Sequence, residues 1–133
     1  MAGAHTLRET ERHADERLAG MQIDFQAMAV ASNLFRAATS VRNHLERSVL
    51  AAHDLSWSAF VVLWVVWIWD NSETREIASE AGFSKATLTG VLNTLEKRGL
   101  AVRKRSKEDG RLVIVNLTAK GRKLMEQLFP LFN

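Results

Sequence analysis

Lys85, Thr87, Thr89, Asn93 and Lys97 are small, polar or basic residues. The stretch that carries them, residues 85–98, has Leu88, Val91, Leu92 and Leu95 at i, i+3, i+4 and i+7. That spacing predicts a helix whose apolar stripe is committed to a core, with the five polar residues on the other side. Hydroxyl, amide and ammonium groups on a helix uninterrupted by large apolar side chains suit the base edges and phosphates of a major groove. Ser84 stands at the N-cap position. There its hydroxyl, the unpaired N–H groups of the first turn and the helix dipole can hold a phosphate.

A second basic feature follows, KRSKEDGRLVIVNLT over residues 104–118. Leu112, Ile114 and Asn116 alternate with Val113, Val115 and Leu117, a period of two that predicts a strand over 112–117. With a strand over 101–105 and a tight turn at Asp109-Gly110, this reads as a hairpin with a basic tip. Such a tip can enter a minor groove, whose negative potential favours an inserted arginine. Arg111 is the candidate for that role, with Arg105 and Lys107 on phosphates. Charge is unevenly placed: residues 97–123 carry +8 of a chain whose net is +3, and the remainder carries −5. The asymmetry points to a polyanion partner or, read alone, to a solvated basic face.

The elements that must position these groups can be read from period and punctuation. Residues 1–20 are polar and are expected to be loose or a frayed helix, a polar N-terminal extension. Residues 21–133 are expected to form a single domain. Its first part is a long helix over about 24–53, with Leu34, Ala38, Val41 and Leu45 at helical spacing. HDLS at 53–56 breaks it, and Ser56 caps an apolar helix, WSAFVVLWVVWIW, over 57–69. The uncharged run 55–69 is shorter than the ~18 residues of a membrane helix and reads as a buried one. DNSE at 70–73 is expected to be a loop, and 74–81 a short helix with Ile77, Ala78 and Ala81 inward, ended by Gly82. EIASEAG followed by FSKATLTGVLNTLEKRG is then a helix-turn-helix, and with the basic hairpin a winged one, over about 56–117. Thr118 caps a last helix, 118–133, which Pro130 kinks or ends. The fold class is mostly α with a small β-hairpin.

LTGVLNTLEKRGLAVRKRSKEDGRLVIVNLTAKGRKL resembles the MarR family of bacterial transcriptional regulators. Leu95, Glu96, Gly99 and Leu100 match the family's L-E-x-x-G-L at the end of the recognition helix. Asp109, Arg111, Leu117, Thr118 and Gly121 match its D-x-R wing and the L-T-x-x-G after it, and the likeness covers about 34–128. The resemblance implies a homodimer on a pseudo-palindromic double-stranded DNA operator, one winged helix per half-site. It implies that Asp109 steadies the wing by pairing with an arginine while Arg111 probes the minor groove. Dimerisation in the family uses the N-terminal helix and one or two C-terminal ones. Because the sequence stops at Asn133, the expectation is either that the native chain continues or that the dimer leans on residues 1–50.

Family members are often released from DNA by a small aromatic or phenolic effector. Four tryptophans invite that reading here, with Trp57, Phe60 and Trp64 as flat walls and His44 as a polar handle. The competing reading is that these rings fill core. No cysteine is present, which excludes the thiol-peroxide mode of sensing and fits a reducing cytoplasm. His5, His13, His44 and His53 lack the spacing of a metal motif, and no cofactor is expected. Nucleophile elbow, P-loop and GxGxxG are all missing, so an enzyme is not expected. A winged helix that binds protein instead of DNA is the alternative, which the basic wing disfavours.

Overall fold

The structure is a computed structural model that describes residues 4–132, and the chain divides into two compact units, residues 1–42 and 43–133. The first unit holds α1 (Leu7–Leu18) and most of α2 (Phe25–Leu45). Within the stretch expected to be loose or a frayed helix, Leu7–Leu18 form a regular helix that opens on a capping box of Thr6 and Glu9. Thr6 Oγ1 accepts from the Glu9 amide at 3.2 Å, and the Glu9 carboxylate accepts from the Thr6 amide at 2.8 Å. Neither α1 nor α2 buries a single residue. Val30, Leu34, Phe35 and Val41 on α2 are 68%, 71%, 75% and 59% exposed, an apolar surface of the kind that marks an interaction site.

The second unit carries the core. Helical backbone continues from α2 through a π-helical turn, Glu46–Leu50, and a 3-10 turn, Ala51–His53, before Asp54 reverses it in the left-handed region. The single helix expected over 24–53 therefore changes type in its last two turns, where Ser48 donates back to the His44 carbonyl at 2.8 Å. α3 (Trp57–Trp69) starts on the Ser56 cap and buries Ala59, Phe60, Val62, Leu63, Val65 and Val66. α4 (Thr74–Ala81) and α5 (Lys85–Lys97) follow, inserting Ile77, Leu88, Leu92 and Leu95. Both end the same way, on a glycine in the left-handed region, Gly82 and Gly99. The next residue bonds back across the last turn, Phe83 to Ala78 and Leu100 to Leu95, at 2.9 Å each. α6 (Ala119–Leu128) adds Met125 and Leu128, and a 3-10 turn, Phe129–Phe132, follows at Pro130.

The sheet differs from the expected hairpin in two respects. DNSE is not wholly loop: Ser72–Glu73 forms β1, which pairs antiparallel with β3 (Val113–Leu117), and β3 pairs with β2 (Ala101–Arg105) in the order β1-β3-β2. Two residues carry no periodicity, and this strand is made by tertiary partners: the Asn71 amide donates to Asn116 Oδ1, and Ser72 is buried. Asp109-Gly110 does not make a two-residue turn either. The ladder closes where the Ser106 amide meets the Leu112 carbonyl at 2.9 Å, and a second reversal, Leu112 amide to Asp109 carbonyl, puts Gly110 and Arg111 at its centre. Gly110 does not adopt a positive φ, which the mirror-image hairpin turn would require.

Candidate nucleic-acid interface

The α5 N-terminus is capped by its own side chains. Ser84 Oγ accepts from the Thr87 amide at 3.1 Å and lies 2.9 Å from the Thr87 hydroxyl, so cap and first turn are one bonded unit. Thr89 donates to the Lys85 carbonyl at 2.8 Å, which fixes its rotamer and leaves its oxygen lone pairs outward. Lys85, Thr87, Thr89 and Asn93 are all exposed, on the side opposite the buried leucines.

The wing tip is ordered by its own side chains. Ser106 Oγ accepts from the amides of Glu108 and Asp109 at 3.2 and 3.3 Å. Asp109 pairs with Arg111 itself: its carboxylate takes the Arg111 amide at 3.0 Å, Nε at 3.2 Å and Nη2 at 3.3 Å. Those bonds from Arg111 hold the Asp109 carboxyl below its usual range. The arginine expected to steady the wing and the one expected to probe DNA are thus a single residue, with its side chain 91% exposed. Arg105 reaches the Gly110 carbonyl across the tip at 3.4 Å, and Lys107 is exposed at the apex.

A third contact joins helix to wing. Arg103, on β2, donates its amide to Glu96 Oε1 at 2.9 Å and its Nη2 to Glu96 Oε2 at 2.6 Å and Asn93 Oδ1 at 2.5 Å. The Arg103 hydrogen bond draws the Glu96 carboxyl down, and Glu96 raises the guanidinium in return. Asn93 therefore serves the helix–wing joint as well as the surface, a role that spacing along α5 does not reveal.

Between α4, α5 and the wing runs an open groove of about 760 Å³. Leu88, Leu92 and Ala78 floor it, while Arg75, Lys85, Arg103, Lys104, Arg105 and Arg111 edge it. Arg75, Arg103 and Lys104 had no site role in the sequence reading. Only the packing of α4 and β2 against α5 brings them to the same edge. Among the described residues no three His, Asp or Glu side chains converge to hold a metal ion, and no single helix is long and apolar enough to cross a membrane.

Residues 44–128 match the model of the transcriptional regulator SarA/Rot family. The HTH-type transcriptional regulator YwaE of Bacillus subtilis (strain 168) is 37% identical over 130 residues, 96% of this chain and 76% of that protein. The chain belongs to the winged-helix transcriptional regulators of the MarR and SarA/Rot type. Among solved MarR-type structures, the repressor CouR bound to a 23-mer DNA duplex superposes with a TM-score of 0.73 at 28% identity, covering 85% of this chain and 79% of that one. BpsR of Bordetella bronchiseptica, whose DNA binding is regulated by 6-hydroxynicotinic acid, gives 0.69 at 27%, covering 76% of each chain. In this MarR-type chain a joint forms at Leu100. Its carbonyl takes the Thr118 amide at 3.1 Å, the Thr118 hydroxyl donates to the Gly99 carbonyl at 2.6 Å, and Gly121 packs flat against Leu100. The L-T-x-x-G motif is therefore a lock between the recognition helix and α6.

In this MarR-type chain the aromatic residues considered for an effector lie along one side of α3. Phe60 is buried and stacks on Phe132 with centroids 4.4 Å apart, and Trp64 stacks on Phe129 at 4.7 Å. Both rings are thus engaged by the chain's own C-terminal turn. Trp57 is half-buried, tilted against Phe60 at 5.7 Å, and its amide donates to Glu46 Oε1 at 2.9 Å. His44 is exposed.

Proposed function

We propose that this regulator is a repressor that binds double-stranded DNA sequence-specifically as a homodimer on a pseudo-palindromic operator. It works in the cytoplasm, where the DNA is. The observation that carries this reading is the convergence of a capped recognition helix and an arginine-tipped wing on one basic groove. Thr87 and Thr89 read bases from the N-terminal half of α5. Ser84, Lys85, Arg105 and Lys107 hold phosphates, and Arg111 enters the minor groove once it leaves Asp109. The exposed apolar surface of α2 supports a second copy as its cover. An aromatic or phenolic effector acting near Trp57 and His44 releases the DNA; the effect of 6-hydroxynicotinic acid on BpsR supports the chemical class.

The test is duplex binding at several salt concentrations, on operator and random DNA. Lys107→Ala should weaken both alike and flatten the salt slope by about one unit per half-site. Thr87→Ala should relax one operator position by roughly 1–3 kcal/mol and leave the slope unchanged. Arg111→Ala should lose a charge and a preference for a narrow A·T-rich groove together. Binding by Arg111→Ala equal to the parent's would remove the wing from the interface.

A further inference from the structure

The joint between helix and wing decides what Asn93 can recognise. An asparagine on a recognition helix ordinarily pairs with adenine, accepting from N6 through Oδ1 and donating to N7 through Nδ2. Here Oδ1 is taken. Arg103 has no acceptor atoms, so the atom 2.5 Å from its Nη2 must be the amide oxygen and not the nitrogen. The guanidinium is itself held by the Nη2 bond to Glu96, whose other oxygen takes the Arg103 backbone amide, so the amide group of Asn93 cannot turn without breaking a charged network. Its Nδ2, with two hydrogens, has no partner among the described residues, and the side chain is exposed. An adenine amino group brought to the second lone pair of Oδ1 would set one donor beside a charged donor already bonded there.

We infer that Asn93 is a donor-only base reader, set in that state by Arg103 and Glu96, and that it selects guanine, whose N7 and O6 are adjacent acceptors, over adenine. The inference rests on the reading that α5 lies in the major groove. It concerns which base edge one residue accepts, and the interface as a whole could stand without it.

Selection of a randomised duplex pool by the full chain, followed by sequencing, tests it. In the parent, the operator position whose preference disappears in Asn93→Ala should be a G·C pair, with discrimination of roughly five- to a hundredfold. Asn93→Asp keeps an acceptor for Arg103 but has no donor, so it should melt like the parent and lose the same preference. Arg103→Met frees Oδ1 and should let A·T pairs in at that position while the others hold. An A·T pair there in the parent, or an unchanged preference in both Asn93 variants, overturns the inference even if the chain is a specific binder. A pool with no enrichment at all sinks the major-groove reading and this assignment with it.

Discussion

Gly121→Ala tests the joint between α6 and the recognition helix, and it does so by sign. A Cβ at Gly121 would lie 2.0 Å from the Leu100 carbonyl oxygen and 2.9 Å from its carbon. A carbon and an oxygen normally approach no nearer than about 3.2 Å, so more than 1 Å of backbone movement is needed. Leu100 cannot supply it freely, since its amide closes the α5 terminus on Leu95 and its oxygen takes the Thr118 amide. Moving α6 away strains or breaks the Leu100–Thr118 and Gly99–Thr118 bonds, about 1 kcal/mol each, on top of an overpacking cost of about 1–3 kcal/mol. The expected loss is about 3 kcal/mol, a large share of the roughly 5–15 kcal/mol that stabilises a domain, and a fall of roughly 9–18 °C in Tm. Helix propensity alone predicts the opposite, a gain of about 1 kcal/mol for replacing a helical glycine by alanine. Gly90→Ala is the matched control: Gly90 lies inside α5 with nothing within 4 Å of a Cβ. Urea and thermal unfolding of both variants should move in opposite directions. A Gly121→Ala protein as stable as the parent, or more so, would refute the close approach and the lock built on it.

Phe35→Lys, placed on the exposed apolar surface of α2, should convert a species of about twice 14.9 kDa in sedimentation into one near the monomer mass. Glu96→Gln should cost of order 1 kcal/mol at neutral pH. Because the folded carboxyl titrates below its usual range, the Glu96 contribution is present above the ordinary glutamate value of about 4.3 and disappears as pH falls below it. Parent and variant urea midpoints should therefore differ at pH 7 and converge as acid protonates the folded carboxyl. A constant gap would mean that Glu96 is not held by Arg103. Asp70 has φ 46° and ψ 158°, a conformation costly to any residue with a Cβ. Asp70→Gly should raise stability by up to about 1 kcal/mol despite losing an exposed pair with Arg122, which thermal unfolding reads directly.

What could be read from residue order was whatever is local. α4 and α5 match their expected bounds within a residue, since a glycine at each end and leucines at i, i+3, i+4 and i+7 need no distant partner. The motif Thr118-x-x-Gly121 could be recognised by spacing, but not what it does, because its partner Leu100 sits across the wing. β1 was missed for the same reason: Ser72 and Glu73 become a strand only once Val115 and Ile114 lie beside them. The tip was misread because Asp-Gly has two uses. Here the aspartate spends its oxygens on the Arg111 amide and guanidinium, and the reversal moves one residue on. In the interface, residues on α5 were legible as one side of a helix. Arg75, Lys104 and the second role of Asn93 depend on tertiary neighbours and leave no trace in a period.

The last rung of the wing, Ser106 to Leu112, also marks a boundary in what mutation can change freely. Below it, every residue of β2 and β3 is bound into a ladder on which the core depends. Above it, residues 107–111 hang from two strands already closed, and none of them is buried in the core. A duplicated gene could exchange those five residues, in length or in sequence, and still yield a folded protein. New operator preferences would thus be reachable by single steps through viable intermediates, while the scaffold that presents the tip stays under purifying selection.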